Sequence, residues 1–241
     1  MIRIDKFLSQ MQVATRSESK KLIKNKQITK NGMIVTDGGE KCDPDSDCIC
    51  LNGIPIAYQE YHYVMLYKPA GCVTATEDRY AQTVMDFLPV SMRRGMSPVG
   101  RLDKDTEGLL LITDDGALNH QLLAPAKHVP KTYYARIEGI VNQEDVAAFQ
   151  IGLDIGEKKL TAPAILEILC VDSLAGTSEI NVTITEGKFH QVKRMFQAVD
   201  KNVVYLKRLS MGSLMLDERL TPGTWRELTK EEISKLKDDT K

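Results

Sequence analysis

With 241 residues, 32 Lys and Arg against 33 Asp and Glu, and a formal net charge of −1, the chain fits one large domain or a large and a small one. The overall balance signals no nucleic-acid partner. The five cysteines (Cys42, Cys48, Cys50, Cys72 and Cys170) are odd in number and form no Cys-x-x-Cys pair. They read as reduced thiols of a cytoplasmic protein, not as a disulfide scaffold or a zinc site. With no N-terminal apolar signal and no apolar run of about eighteen residues, neither secretion nor a membrane partner is expected.

Residues 1–58 read as a small module of their own. Ile4, Phe7, Leu8 and Met11 recur at helical spacing and predict a first helix; Ser17 opens a second, running to Lys24 with a charged outer face. Ile28 to Val35 predicts a strand, an Asn31-Gly32 turn and a returning strand, and Leu51 to Ile56 a further hairpin. In the first thirty residues eight cations (Arg3, Lys6, Arg16, Lys20, Lys21, Lys24, Lys26, Lys30) face only Asp5 and Glu18. Such a run is either a solvated face or a phosphate-contacting patch. Asp37, Glu40, Asp43, Asp45 and Asp47 follow and are expected on the module's far side. Residues 58–61 read as a linker.

A second domain, 62–236, opens with a strand over 63–67 that stops at the turn Lys68-Pro69-Ala70-Gly71. Residues 83–88 predict a short helix, and Arg93 to Pro98 a basic loop. Gly100-Arg101-Leu102-Asp103-Lys104-Asp105-Thr106-Glu107-Gly108 then feeds the apolar block Leu109 to Ile112, closed by Asp114-Asp115-Gly116. This is a charged loop entering a buried strand, which sets Arg101 and Asp103 on backbone that a sheet can hold still. A helix over 117–123, a strand over 131–137 with Tyr133 and Tyr134 on opposite faces, and a helix over 144–149 come next. Strands over 165–171 and 180–184 follow, and a Gly187 turn gives way to a helix carrying Lys193 and Arg194. A helix capped by Thr229, with Glu232 three residues on, ends the predicted elements.

The loop around Asp103 admits a bland reading as a solvated acidic turn. A calcium loop built on Asp103, Asp105 and Glu107 fails, because Leu109 to Leu111 occupy ligand positions and no helix enters. A hydrolase pairing Asp103 with Asp105 is set aside on the expectation that the two carboxylates point to opposite sides of the loop.

The stretch Gly-Arg-Leu-Asp-x-x-Thr-x-Gly-Leu-Leu-Leu-x-Thr-x-Asp-Gly resembles the signature of the S4-domain ribosomal RNA pseudouridine synthase family. Lys131-Thr132-Tyr133 and Gly187-Lys188-Phe189-His190-Gln191-Val192-Lys193 resemble its second and third motifs. The Arg3-Ile4-Asp5-Lys6 start, the Arg16-Ser17 helix entry and the Asn31-Gly32 hairpin resemble its S4 domain. The resemblance implies an α+β protein: an S4-like RNA-binding domain over 1–58, and a catalytic domain with a mixed, largely antiparallel sheet and flanking helices. It implies Asp103 as the essential carboxylate, Tyr133 stacked on the target base, and Lys193 paired with Asp103. Arg101 would fill the space left by a flipped nucleotide, and His190 would cap or pack. Arg3, Lys6, Arg16, Lys20, Lys21 and Lys24 are the candidate RNA contacts. No cofactor or metal is expected, since the isomerisation involves no redox change or outside group.

The third motif and Lys159-Leu160-Thr161-Ala162-Pro163-Ala164 look more like the small-subunit branch of the family. The expected target is therefore one uridine of 16S rRNA, presented on a small-subunit assembly intermediate to a monomeric enzyme. The same reaction on 23S rRNA is the alternative, and an assembly factor with an idle site the non-catalytic one.

Overall fold

The computed structural model describes residues 1–241, which divide into two compact units. The first comprises residues 1–62 together with 89–94. Its elements are β1 (Ile2–Arg3), α1 (Ile4–Gln10), α2 (Arg16–Lys24), β2 (Ile28–Lys30), β3 (Met33–Ile34), β4 (Lys41–Cys42), β5 (Ile49–Leu51) and β6 (Ile54–Pro55). The helical stripe of α1 is buried as expected, with Ile4, Phe7 and Leu8 packed on Ile23, Ile28, Val35, Cys42 and Ile49. Helix α2 begins before Ser17, because Thr15 is its cap: the Glu18 amide donates to Thr15 Oγ1, and the Thr15 amide donates to Glu18 Oε2 at 2.8 Å.

Both Asn-Gly turns form, with Asn31, Gly32, Asn52 and Gly53 all at positive φ, the geometry a two-residue hairpin needs. Strands β3-β2-β5-β6 make one small sheet. The β1–β4 pair, Ile2 opposite Cys42 and Arg3 opposite Lys41, folds the acidic 36–40 loop back over the chain's first residues. Asp37 consequently lies in a groove with Arg3, Lys20 and Lys24, and the expectation that the acidic residues all mark the far side fails there.

The second unit comprises residues 63–88 and 95–241. It contains β7 (Tyr63–Lys68), β8 (Ser97–Pro98), β9 (Glu107–Thr113), α3 (Gly116–Leu123), β10 (Lys131–Glu138), α4 (Gln143–Ile151), β11 (Ile165–Asp172), β12 (Thr177–Ile184), α5 (Gln191–Gln197), β13 (Asn202–Met211), β14 (Leu214–Met215), β15 (Trp225–Glu227) and α6 (Lys230–Asp238). Residues 84–87 tighten into a single 3-10 turn, limited by the Pro89 that follows Leu88. The sheet runs β11-β12-β10-β13-β9-β7-β15, with β14 on β13 and β8 on β9. Every pair is antiparallel except β13 with β9, so the expected mixed, largely antiparallel sheet is what forms. Strand β7 is buried throughout, and β10 alternates buried with less buried positions. No helix is long and apolar enough to cross a membrane.

The parallel junction turns on one glycine. Gly108 has φ +103°, and a Cβ built there would stand 2.3 Å from the carbonyl oxygen of Arg208 and 2.7 Å from its nitrogen. Neither is a flexible group that can swing aside. Gly108→Ala is therefore expected to destabilise the second unit by about 3 kcal/mol or more, read as a lowered urea midpoint. An unchanged midpoint would mean that β9 and β13 separate at no cost.

Candidate active site

The loop between β8 and β9 carries Arg101, Asp103 and Asp105, and its own backbone is what the surrounding residues hold. Val99 N donates to Leu111 O at 2.8 Å, and Thr106 N donates back to Asp103 O at 3.1 Å, closing a turn. Thr74 Oγ1 donates to Leu102 O at 2.7 Å and accepts from Leu102 N at 3.2 Å. Gly71 N donates to Lys104 O at 2.8 Å. The ammonium of fully buried Lys68 donates to Pro69 O, Lys104 O and Thr106 O at 3.0, 3.3 and 2.9 Å. The Lys-Pro-x-Gly turn is thus a clamp on the Asp103 loop.

Helix α5 supplies the cation. Lys193 Nζ stands 3.2 Å from Asp103 Oδ2 and 2.6 Å from Asp105 Oδ1. The two carboxylates converge on one ammonium, contrary to the expectation that they point apart, since positions two apart on extended chain share a side. The hydrogen bond from Lys193 holds the Asp105 carboxyl below its ordinary range. Burial works against the Lys193 ammonium, but the Asp105 and Asp103 carboxylates outweigh it and raise its pKa.

His190 packs as expected, its ring stacked on that of Phe189, and it stands at the N-cap position of α5, but it also reaches the site. Its side chain makes no capping hydrogen bond, its backbone is left-handed, and its Nε2 lies 3.5 Å from Asp103 Oδ1.

Tyr133 is buried, and its strand position pairs it with Arg208 on β13, which in turn pairs with Gly108 on β9. That row puts Tyr133 two strand spacings, about 10 Å, from the strand that the Asp103 loop enters. Arg101 is exposed, with no hydrogen bond or ion pair to fix it. Arg208 is a group that sequence reasoning missed. It is 2% exposed; its Nε donates to Leu109 O at 2.7 Å, and its Nη2 is buried without a partner.

The RNA pseudouridylate synthase family matches residues 62–198, and the S4 domain family matches residues 2–48. The uncharacterized RNA pseudouridine synthase YtzG of Bacillus subtilis is 46% identical over 238 residues, 98% of this chain and 99% of that one. The chain belongs to the RNA pseudouridylate synthase family. The ribosomal small subunit pseudouridine synthase A of Escherichia coli K12 is 38% identical, over 98% of this chain and 100% of that protein. A crystal structure of pseudouridylate synthase is also similar, with a TM-score of 0.68 and 38% identity over 98% of this chain and 100% of that one. The protein is accordingly a pseudouridine synthase with an N-terminal S4 domain.

Within the S4 domain, Arg3, Lys6, Arg16, Lys20, Lys21 and Lys24 are all exposed. Arg3, Lys20 and Lys24 line one groove; Lys6, Arg16 and Lys21 lie outside it. Arg3 is also bound to Asp5, its Nη2 2.8 Å from Asp5 Oδ2. Lys30 turns instead to Glu40 and Asp47, at 3.4 and 3.5 Å.

Lys131, of the Lys-x-Tyr segment, is buried with only the Val129 carbonyl for a partner, at 2.8 Å. Burial, reinforced by the Arg208 charge, brings its pKa from 10.5 down to about 8. Below that value the folded protein carries the full penalty of a buried ammonium. The unfolded chain keeps its proton until pH 10.5, so this group makes stability rise with pH between about 8 and 10.5. The slope is at most about 1.4 kcal/mol per pH unit. Urea midpoints across that window should rise more steeply in the wild type than in Lys131→Met, and parallel curves would remove Lys131 as the source.

Proposed function

We propose that this enzyme isomerises one uridine of 16S rRNA to pseudouridine on a small-subunit assembly intermediate, with Asp103 as the reacting carboxylate. The observation that carries the reading is the 3.2 Å pair between Lys193 Nζ and Asp103 Oδ2, on a loop that Lys68 and Thr74 fix to the sheet. The choice of the small subunit is supported by the naming of the Escherichia coli relative and by the segments 159–164 and 188–196.

A uridine stacked in folded RNA is out of reach, so the target nucleotide flips out, at a cost of a few kcal/mol. Arg101, exposed and untied, fills the space it leaves. Asp103 then either attacks C1′ or removes the C2′ proton, and the bond from N1 to C1′ breaks. The ring of Tyr133 retains the detached uracil while it turns. C5 then bonds to C1′, which displaces the Asp103 carboxylate or is accompanied by return of the proton to C2′, and the C5 proton leaves for N1 by way of solvent. Atoms and electrons balance within the nucleotide, so the reaction calls for no cofactor. Lys193 offsets the carboxylate charge in a half-buried site. One chain carries every group named, so the enzyme acts as a monomer.

Asp103→Asn should bind rRNA like the wild type and form no pseudouridine, because shape is kept while the nucleophile or base is lost. Chemical mapping of rRNA from cells with and without the protein should show one mark missing from 16S. A mark lost from 23S alone would move the substrate to the large subunit, and normal single-turnover rates in the Asn variant would dismiss Asp103.

The S4 domain contributes phosphate contacts through Arg3, Lys6, Arg16, Lys20, Lys21 and Lys24. Lys20→Ala and Lys24→Ala should each flatten the plot of log affinity against log salt by roughly one unit of slope. Slopes identical to the wild type would take the groove they share out of RNA binding.

A further inference from the structure

Phe189 keeps 71% of its surface open, although it adjoins the residue whose ring faces Asp103. Its ring lies against that of His190, with centroids 3.8 Å apart and planes within 20°. One face of Phe189 is thus covered by His190, and the other is the exposed one. His190 holds φ 49°, a conformation that residues other than glycine seldom adopt, and from it Nε2 lies 3.5 Å from Asp103 Oδ1. Carboxylate, imidazole and phenyl ring therefore follow one another outward from the site.

The platform is braced from below. Arg194 Nη1 donates to Phe189 O at 3.1 Å and to Glu157 Oε1 at 2.9 Å, and Arg194 Nη2 donates to Ile155 O. Gln191 Oε1 accepts from Lys188 N at 2.9 Å, and Gln191 Nε2 donates to Glu186 Oε1 at 2.8 Å. That same oxygen accepts from Ala162 N at 3.0 Å, while Lys188 Nζ donates to the carbonyls of Lys159 and Leu160. Residues 159–162 and 186–190 form a single ledge, with exposed Lys158 and Lys159 at its rim. A planar apolar surface, held still and bordered by cations, matches an unstacked base with its phosphates.

We propose that Phe189 is a stacking platform for the base immediately next to the target uridine, and that it selects RNA in which that neighbour is unpaired. Flipping the uridine strips its neighbour of a stacking partner, and the open face of Phe189 replaces it. The inference rests on RNA being the substrate at Asp103.

The test is a cycle between protein and RNA. Single-turnover kcat/KM is measured for wild type, Phe189→Leu and Phe189→Trp on a small-subunit assembly intermediate built on a 16S transcript that carries the target uridine. The same transcript is also prepared with an abasic residue directly 5′ or directly 3′ of that uridine. Phe189→Leu should lose about tenfold on the intact RNA, with Phe189→Trp near wild type and the melting temperature unchanged, because the ring is exposed. On one of the two abasic RNAs the wild type and the Leu variant should react alike. An equal loss on all three RNAs would mean that Phe189 acts only through His190 and Asp103, and no loss on intact RNA would mean that it does not act; either overturns the proposal. Failure of the underlying reading looks different, since the wild type would then leave intact RNA unmodified.

Discussion

The ammonium of Lys68 has no exposed surface and no carboxylate bonded to it; its partners are three peptide carbonyls, two of them in the loop that carries Asp103. Burial lowers its pKa, and the nearby charges of Cys72, Asp105, Asp103 and Glu107 work against that effect. Bonds to backbone fix where a loop runs without using up its side chains. Asp103 and Asp105 are thereby left to meet Lys193, and Arg101 is left to meet solvent. Hydrogen bonds from Gly71 and Thr74 complete the restraint from the same turn and its sequel.

The site is cationic in a way the whole-chain charge hides. Lys68, Lys131 and Arg208 are all buried, and each bonds to main-chain carbonyls. Each would be expensive in isolation. Together with Lys193, which pairs with Asp103 itself, they gather positive charge on the strands and helix from which the site is built. The chain's near-neutral balance comes from acidic residues elsewhere, and a pseudouridine synthase can therefore face a polyanion without a basic composition.

Local patterns carried much of the fold. The Asn-Gly turns, the α1 stripe, the Thr229–Glu232 capping box and the alternation of β10 each obey a short-range rule that the structure honours. Strand β13 obeys none that a reader could use: Lys207-Arg208 sits at its centre, and Arg208 is buried where an arginine is expected to meet water. The two-residue strands β1 and β4 show no period at all, and their pairing is what brought Asp37 beside the basic residues. Around the site, motif resemblance singled out Asp103 and Lys193, which the fold brings together across 90 residues of chain. The packing expected of His190 holds, but its approach to Asp103 went unforeseen, because it depends on a left-handed backbone that nothing in its neighbours announces.

The single parallel pairing, β9 with β13, has a bearing on the order in which the molecule becomes competent. Strands β7 and β9 can associate as an antiparallel pair, and β10 with β12 likewise, each within one stretch of chain. Strand β13 bonds to both β9 and β10 and so joins the two halves of the sheet through contacts distant in sequence. Such non-local closures are slow, because the entropy of the intervening loop is lost before the contacts form. Until β13 inserts, Gly108 is paired on one side only, with Lys68 of β7, and α5 lacks the strand it packs against, so Lys193 cannot meet Asp103. Chemical competence is thus tied to completion of the sheet, and a partly folded chain holds its carboxylate without the cation that would put it to use.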